Sequence, residues 1–180
     1  MDECLKQLYS LAGDPTVESF SFPANAFSQQ EAYELVERFE NRALKFSFAD
    51  AVLSFSRVQN DSISEAITTQ LMRNNLAGRF AGRLACNIDK TFKQPDNCFM
   101  PTGRKTTGPH RCSANKREFP TLVVEIVKSK EDLTRAAATW ISEHTTTNVF
   151  VGVATEYSTK SIFLATRTDG ILKERAFTST

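Results

Sequence analysis

Two carboxylates stand where an acid is expensive to keep. Glu125 closes the apolar run Leu122-Val123-Val124 and is followed by Ile126-Val127, while Asp96 sits between Pro95 and the apolar step Cys98-Phe99-Met100. Removing a carboxylate from water costs several kcal/mol unless something compensates it. Glu125 is therefore expected to have a partner. A salt bridge to a neighbouring Lys or Arg is one answer, and a divalent cation shared with Asp96 is the other.

Between the two acids runs Pro101 to Phe119, with Gly103, Gly108, Pro109 and the cations Arg104, Lys105, Arg111, Lys116 and Arg117, to which His110 adds an imidazole, against the single acid Glu118. A long basic loop beside carboxylates suits contact with phosphate, and it equally suits a solvated connector.

The elements that must carry these residues follow from periodicity. Leu122 to Val127 is continuously apolar apart from Glu125, which marks a strand within 120–128 buried on both faces. Ser129 is placed to cap a helix with Asp132 at its third position; Leu133, Ala136, Ala137, Trp140 and Ile141 form the buried stripe, and the helix is expected to end near His144. Residues 148–154 and 161–166 read as strands, followed by a turn at Asp169-Gly170 and a polar tail. Strand, helix and strand between Leu122 and Ala154 make a βαβ unit with parallel strands.

Upstream, Asp61 opens a helix with Ile63, Ala66, Ile67 and Leu71 on one side, ended by Asn74-Asn75 and Gly78. Arg79 to Asp89 alternates with period two and reads as one long strand. A turn at Asp89-Lys90 is expected to return it to a partner at Asp96–Met100.

The first 60 residues read as a short helix over 2–12, a Ser/Phe/Pro-rich connection, and a helix entered through the capping-box string Ser28-Gln29-Gln30-Glu31 with a stripe from Ala32 to Ala43. One or two strands over 45–57 follow, turning at Asp50.

Composition narrows the classes. The chain has 180 residues, a net charge of +1 and 41% hydrophobic residues, which fits one domain with one core and no global field drawing it to nucleic acid or membrane. Its 14 Phe suit a β-rich or mixed core, with several expected at a surface for protein partners or a homodimer. No run approaches membrane-spanning length, and Met1 to Lys6 carries two acids without a following apolar segment. A soluble protein of the nucleus or cytoplasm, with no membrane partner, is expected. Cys4, Cys86, Cys98 and Cys112 show no paired spacing and read as reduced thiols. A zinc site from Cys98, His110 and Cys112 matches no common ligand spacing.

The order helix, three strands, helix, two strands, with an Asp opening the second strand and a Glu within the third, resembles the PD-(D/E)XK, restriction-endonuclease-like nuclease superfamily over residues 61–167. The string Pro120-Thr121-Leu122-Val123-Val124-Glu125, followed by Ser129 and an Ala-rich helix containing Trp140, looks like nuclease-like domains of fungal and oomycete transposon-derived or Crinkler-type effector proteins. The resemblance implies an α/β fold, a mixed central sheet flanked by helices, with residues 1–60 as an N-terminal helical and β extension of a single domain.

It also implies catalytic roles for Asp96, Glu125 and Lys128, and a Mg²⁺ (or Mn²⁺) site formed by Glu65, Asp96 and Glu125 with the Ile126 carbonyl. Such an ion orients water and neutralises charge at a phosphodiester. Glu65 also fits a capping box with Ser62. Nucleic acid, DNA ahead of RNA, is the implied partner, contacted by Arg104, Lys105, Arg111, Lys116 and Arg117.

The pattern departs at the lysine. Two residues after the Glu, on the same strand face, stands Val127, so Lys128 or Lys130 would have to reach in from elsewhere. Two functions follow: a metal-dependent nuclease, or a non-catalytic binding or effector module on the same fold.

Overall fold

The computed structural model describes residues 2–39, 44–57, 61–73, 79–80, 85–100, 120–156, 160–168 and 171–179. It divides into two compact units, Met1–Val58 with Asn87–Gln94, and Gln59–Cys86 with Pro95–Thr180. Among the described residues no helix is long and apolar enough to cross a membrane.

The first unit is built on aromatic side chains. Helices α1 (Asp2–Gly13) and α2 (Gln29–Arg38) accompany strands β1 (Ser19–Ser21), β2 (Leu44–Ala49), β3 (Val52–Arg57), β5 (Cys86–Ile88) and β6 (Thr91–Lys93), in sheet order β1-β3-β2-β6-β5. Register sets Phe20 against Phe55, Phe46 against Phe55 and Phe48 against Phe92. Alternation puts all five rings on one face.

Tyr33 of α2 meets Phe92 edge-on at 6.1 Å, and Phe39 meets Phe46 at 5.5 Å. Each such side chain contributes roughly 1.5–3 kcal/mol when fully buried. Among the residues whose burial is described, the exposed large apolar side chains are Tyr9, Met72 and Ile162, and the Phe residues of this unit's sheet serve its core.

Local chemistry sets the ends. The Ser28 hydroxyl accepts from Glu31 N at 3.3 Å while the Glu31 carboxylate accepts from Ser28 N at 2.9 Å, the reciprocal capping box read from the sequence. The helix stops at Arg38, with Phe39 extended at φ −93°, ψ 98°, short of the stripe expected to reach Ala43. Residues 40–43 lie outside the described set.

Arg57 caps α1 from β3, its guanidinium donating to the carbonyls of Ala12 (2.9 Å), Val17 (2.8 Å) and Asp14. A cation at a helix C-terminus satisfies carbonyls that have no helical partner. The β2–β3 turn uses Asp50 and Ala51 at φ 51° and 59°, the left-handed pair that matches hairpin twist.

Three readings of this region change. The Ser/Phe connection contains β1, paired with β3. The single strand over 79–89 is two strands in two sheets, β4 (Arg79–Phe80) and β5, with 81–84 outside the described residues. The turn at Asp89 (φ 54°) forms as expected but returns β5 to β6 and not to Asp96–Met100. Period two marks a strand without marking its sheet.

The second unit holds a six-stranded mixed sheet, β11-β10-β9-β8-β7-β4, of β4, β7 (Asn97–Met100), β8 (Leu122–Val127), β9 (Val149–Ala154), β10 (Lys160–Thr168) and β11 (Ile171–Ser179), with helices α3 (Asp61–Arg73) and α4 (Lys130–Trp140). β8 and β9 are parallel, Val124 against Val151, joined through α4 as the βαβ reading required. Ser129 caps α4 by accepting from Asp132 N at 3.1 Å.

The helix ends at Trp140, a turn earlier than His144. There Arg167 donates to the carbonyls of Thr145 (2.9 Å) and Ser142, tying the loop after α4 to β10. The polar tail is corrected to the nine-residue strand β11, antiparallel to β10 throughout.

Hydrogen bonds from the Ser28 amide and then its hydroxyl hold the Glu31 carboxyl below its ordinary 4.5, and Thr16 does the same for Asp14. A lowered folded-state value means stability present above the unfolded value and lost as pH falls through the folded one. Glu31→Gln is expected to keep the cap at neutral pH and to flatten part of the acid decline, read from urea midpoints at about pH 7 and about pH 3.

Candidate functional site

The antiparallel β7–β8 register runs Phe99–Leu122, Cys98–Val123 and Asn97–Val124 and stops there, with Asp96 lying in a bend just before β7. The Asp96 carboxylate accepts from the Ile126 N–H at 2.6 Å, which brings it to the strand segment next to Glu125.

Both are buried, Asp96 at 7% and Glu125 at 1% exposure. The indole of Trp140 is one donor to Glu125, its Nε1–H reaching Oε1 at 2.8 Å from the end of α4. Trp140 is wholly buried beside Leu133, Ala136 and Ala137 of the same stripe. An indole N–H inside a core needs an acceptor, and a carboxylate inside a core needs donors. Each removes the cost of the other.

The remaining site residues fall as follows. Asn97, opposed to Val124, donates its amide to Thr68 of α3 at 2.6 Å. Strand alternation then places α3 on the face of β8 away from Glu125. Glu65 lies on α3 and is exposed, and among the described residues no three of His, Cys, Asp and Glu form a metal-binding group. Glu65 is thus placed on α3, on the face of β8 away from Glu125. The helix opens at Asp61, so Ser62 lies within its first turn and not at its N-cap.

Lys128 is exposed just past the end of β8, in the turn before the Ser129 cap, and Lys130 is exposed as the first residue of α4. Half-buried Val127 holds the position two residues from Glu125. Arg104, Lys105, Arg111, Lys116 and Arg117, and with them His110 and Cys112, lie outside the described residues.

Carboxylate oxygens are donors of the kind that suit a hard divalent cation, which commonly uses one or two protein carboxylates and keeps several waters. The chemistry of these donors fits Mg²⁺ or Mn²⁺. One oxygen of each acid is tied to an N–H, Asp96 to Ile126 and Glu125 to Trp140, and such bonds fix the orientation of metal-binding carboxylates.

Sequence reasoning placed Trp140 in the core and missed its bond to Glu125. The available signal was a lone tryptophan, with a donor to satisfy, on the helix directly after an acid-bearing strand. It also missed Asn97, Thr68 and the tie from Arg167.

An α/β fold with a mixed sheet flanked by helices, arranged as in restriction-endonuclease-like nucleases, is the class these elements define. Among solved structures the chain is similar to a candidate nuclease belonging to DUF820 from Anabaena variabilis, at 13% identity and a TM-score of 0.53, covering 84% of each chain. No family model matches the sequence, and no curated protein matches it either.

Gly152 is the β9 partner of Glu125, and a Cβ there would lie 2.3 Å from Leu133 Cδ2 and 2.8 Å from a Phe150 ring carbon. Close approach of α4 to the sheet at this point depends on that absent carbon. Gly152→Ala is expected to destabilise the fold by about 1–3 kcal/mol, the usual cost of overpacking, measured by urea denaturation.

Proposed function

We propose that the protein is a nuclease-like phosphodiesterase that engages nucleic acid, with Asp96 and Glu125 as the carboxylates that hold a divalent cation. The observation supporting this most directly is the pair itself, two acids buried at one end of neighbouring strands with one oxygen of each bonded to an N–H. Likeness of fold to a candidate nuclease is in keeping with it.

Asp96, Glu125 and the Ile126 carbonyl would hold Mg²⁺ or Mn²⁺. When bound, such an ion orients water and offsets charge on a scissile phosphate. The protein's own part is to aim the carboxylates, through the Ile126 N–H and the Trp140 indole. Exposed Lys128, with Lys130 after it, is the nearest cation in sequence to stand in for the side chain that Val127 lacks. The basic segment with Arg104, Lys105, Arg111, Lys116 and Arg117 would carry the backbone of the nucleic acid, DNA ahead of RNA.

A second reading is favoured by Val127. With no lysine two residues after Glu125, the fold would bind nucleic acid or a protein without cutting, as an effector-type module of the kind the Pro120–Glu125 string resembles. Losing one charge-stabilising group costs on the order of a hundredfold in rate or more.

Supercoiled plasmid and structured RNA, incubated with the purified chain in Mg²⁺ or Mn²⁺, test the two against each other. The hydrolytic reading expects cleavage that falls about a hundredfold or more in Asp96→Asn, which keeps an acceptor for the Ile126 N–H. Intact substrate with wild type and variant alike removes it. A salt-dependent gel shift, lost when Arg104, Lys105, Arg111, Lys116 and Arg117 are neutralised, would then identify a binding module.

A further inference from the structure

The chain contains one tryptophan, and its indole N–H is spent on the acid at the centre of the candidate site. Trp140 is fully buried, Glu125 is 1% exposed, and the donor–acceptor distance is 2.8 Å. A phenylalanine would fill most of the same volume with no donor to satisfy.

The backbone that carries the ring is fixed as well. The Trp140 carbonyl accepts from the Thr145 hydroxyl at 2.5 Å, the Thr145 carbonyl accepts from Arg167 Nη1 at 2.9 Å, and Arg167 Nη2 holds the Ser142 carbonyl. A continuous run of hydrogen bonds therefore leads from β10, through the loop after α4, to the carboxylate of β8.

We infer that Trp140 is the positioning residue for Glu125: its indole fixes one carboxylate oxygen and with it the orientation of the group that would hold the cation, while Thr145 and Arg167 hold the backbone at the end of α4. The inference rests on the cation-binding reading above and deepens it. Hydrogen-bonded partners of ligating side chains typically change metal affinity by roughly 10–100-fold when removed, although they never touch the ion. Glu125 is bonded to the indole, and the next residue of the same strand, Ile126, donates its N–H to Asp96. Cation binding should therefore be felt at the tryptophan.

The test uses the full chain and MgCl₂ or MnCl₂ as the probe. Calorimetry is expected to show saturable binding by wild type, weakened about 10–100-fold in Trp140→Phe, with the fold of the variant checked by circular dichroism. Equal affinity in a folded Trp140→Phe overturns the positioning role and leaves the cation reading standing. If wild type shows no saturable binding that Asp96→Asn reduces, the cation reading fails and the inference falls with it.

Should Trp140→Phe not fold, the emission of Trp140 in the wild-type protein decides. A saturable change on adding MgCl₂, absent in Asp96→Asn, supports the coupling. Constant emission while calorimetry records binding overturns it.

Discussion

A carboxylate buried in an apolar strand survives only if hydrogen-bond donors surround it, and the 2.8 Å bond from the Trp140 indole to Glu125 is how this protein meets that demand. Much of the second unit can be traced from the bond. It requires α4 to return over the strand it has just left, which in turn requires Ser129 to start the helix immediately after β8 and Arg167 to secure the loop after α4. It also requires the helix to lie close to the sheet, and Gly152, the partner of Glu125 on β9, permits that approach.

Asp96 obeys the same rule by a different route. The β7–β8 ladder ends at Asn97–Val124, and just beyond it the Asp96 carboxylate accepts from the Ile126 N–H. The aspartate thus has a structural explanation beside the chemical one, since it satisfies a backbone donor of the strand that carries the second acid. A site made this way does not need surface residues to orient it, since each carboxylate is held by a group belonging to the core.

The residue two positions beyond Glu125 is the point at which the chain departs from the sequence pattern it resembles. Val127 is half-buried on the sheet, while the next cations in the chain, Lys128 and Lys130, are exposed around the helix cap. A lysine on the strand would be aimed by the strand; one in the turn before α4 is aimed only by its own rotamers. The cost of that difference falls on the transition state and not on the fold, which is why the architecture can persist whichever function it serves.

Much was legible from local pattern. The Ser28–Glu31 capping box, the Ser129 cap, the apolar stripe of α4, the strand bearing Glu125 and the parallel βαβ crossover all rest on contacts within a few residues or on a repeating period, and sequence carries those directly. The alternation over 79–89 announced strands, yet one pattern serves two sheets, because pairing partners are chosen by distant segments. The tail after Gly170 looked polar, but it forms a strand once β10 is there to pair with it.

At the candidate site, residue types pointed to Asp96 and Glu125. Only the tertiary structure could bring the Asp96 carboxylate to the Ile126 N–H, leave Glu65 on the far side with α3, and join Glu125 to Trp140. Burial and hydrogen-bond pairing are properties of neighbours in space, and no spacing along the chain encodes them until the chain has folded.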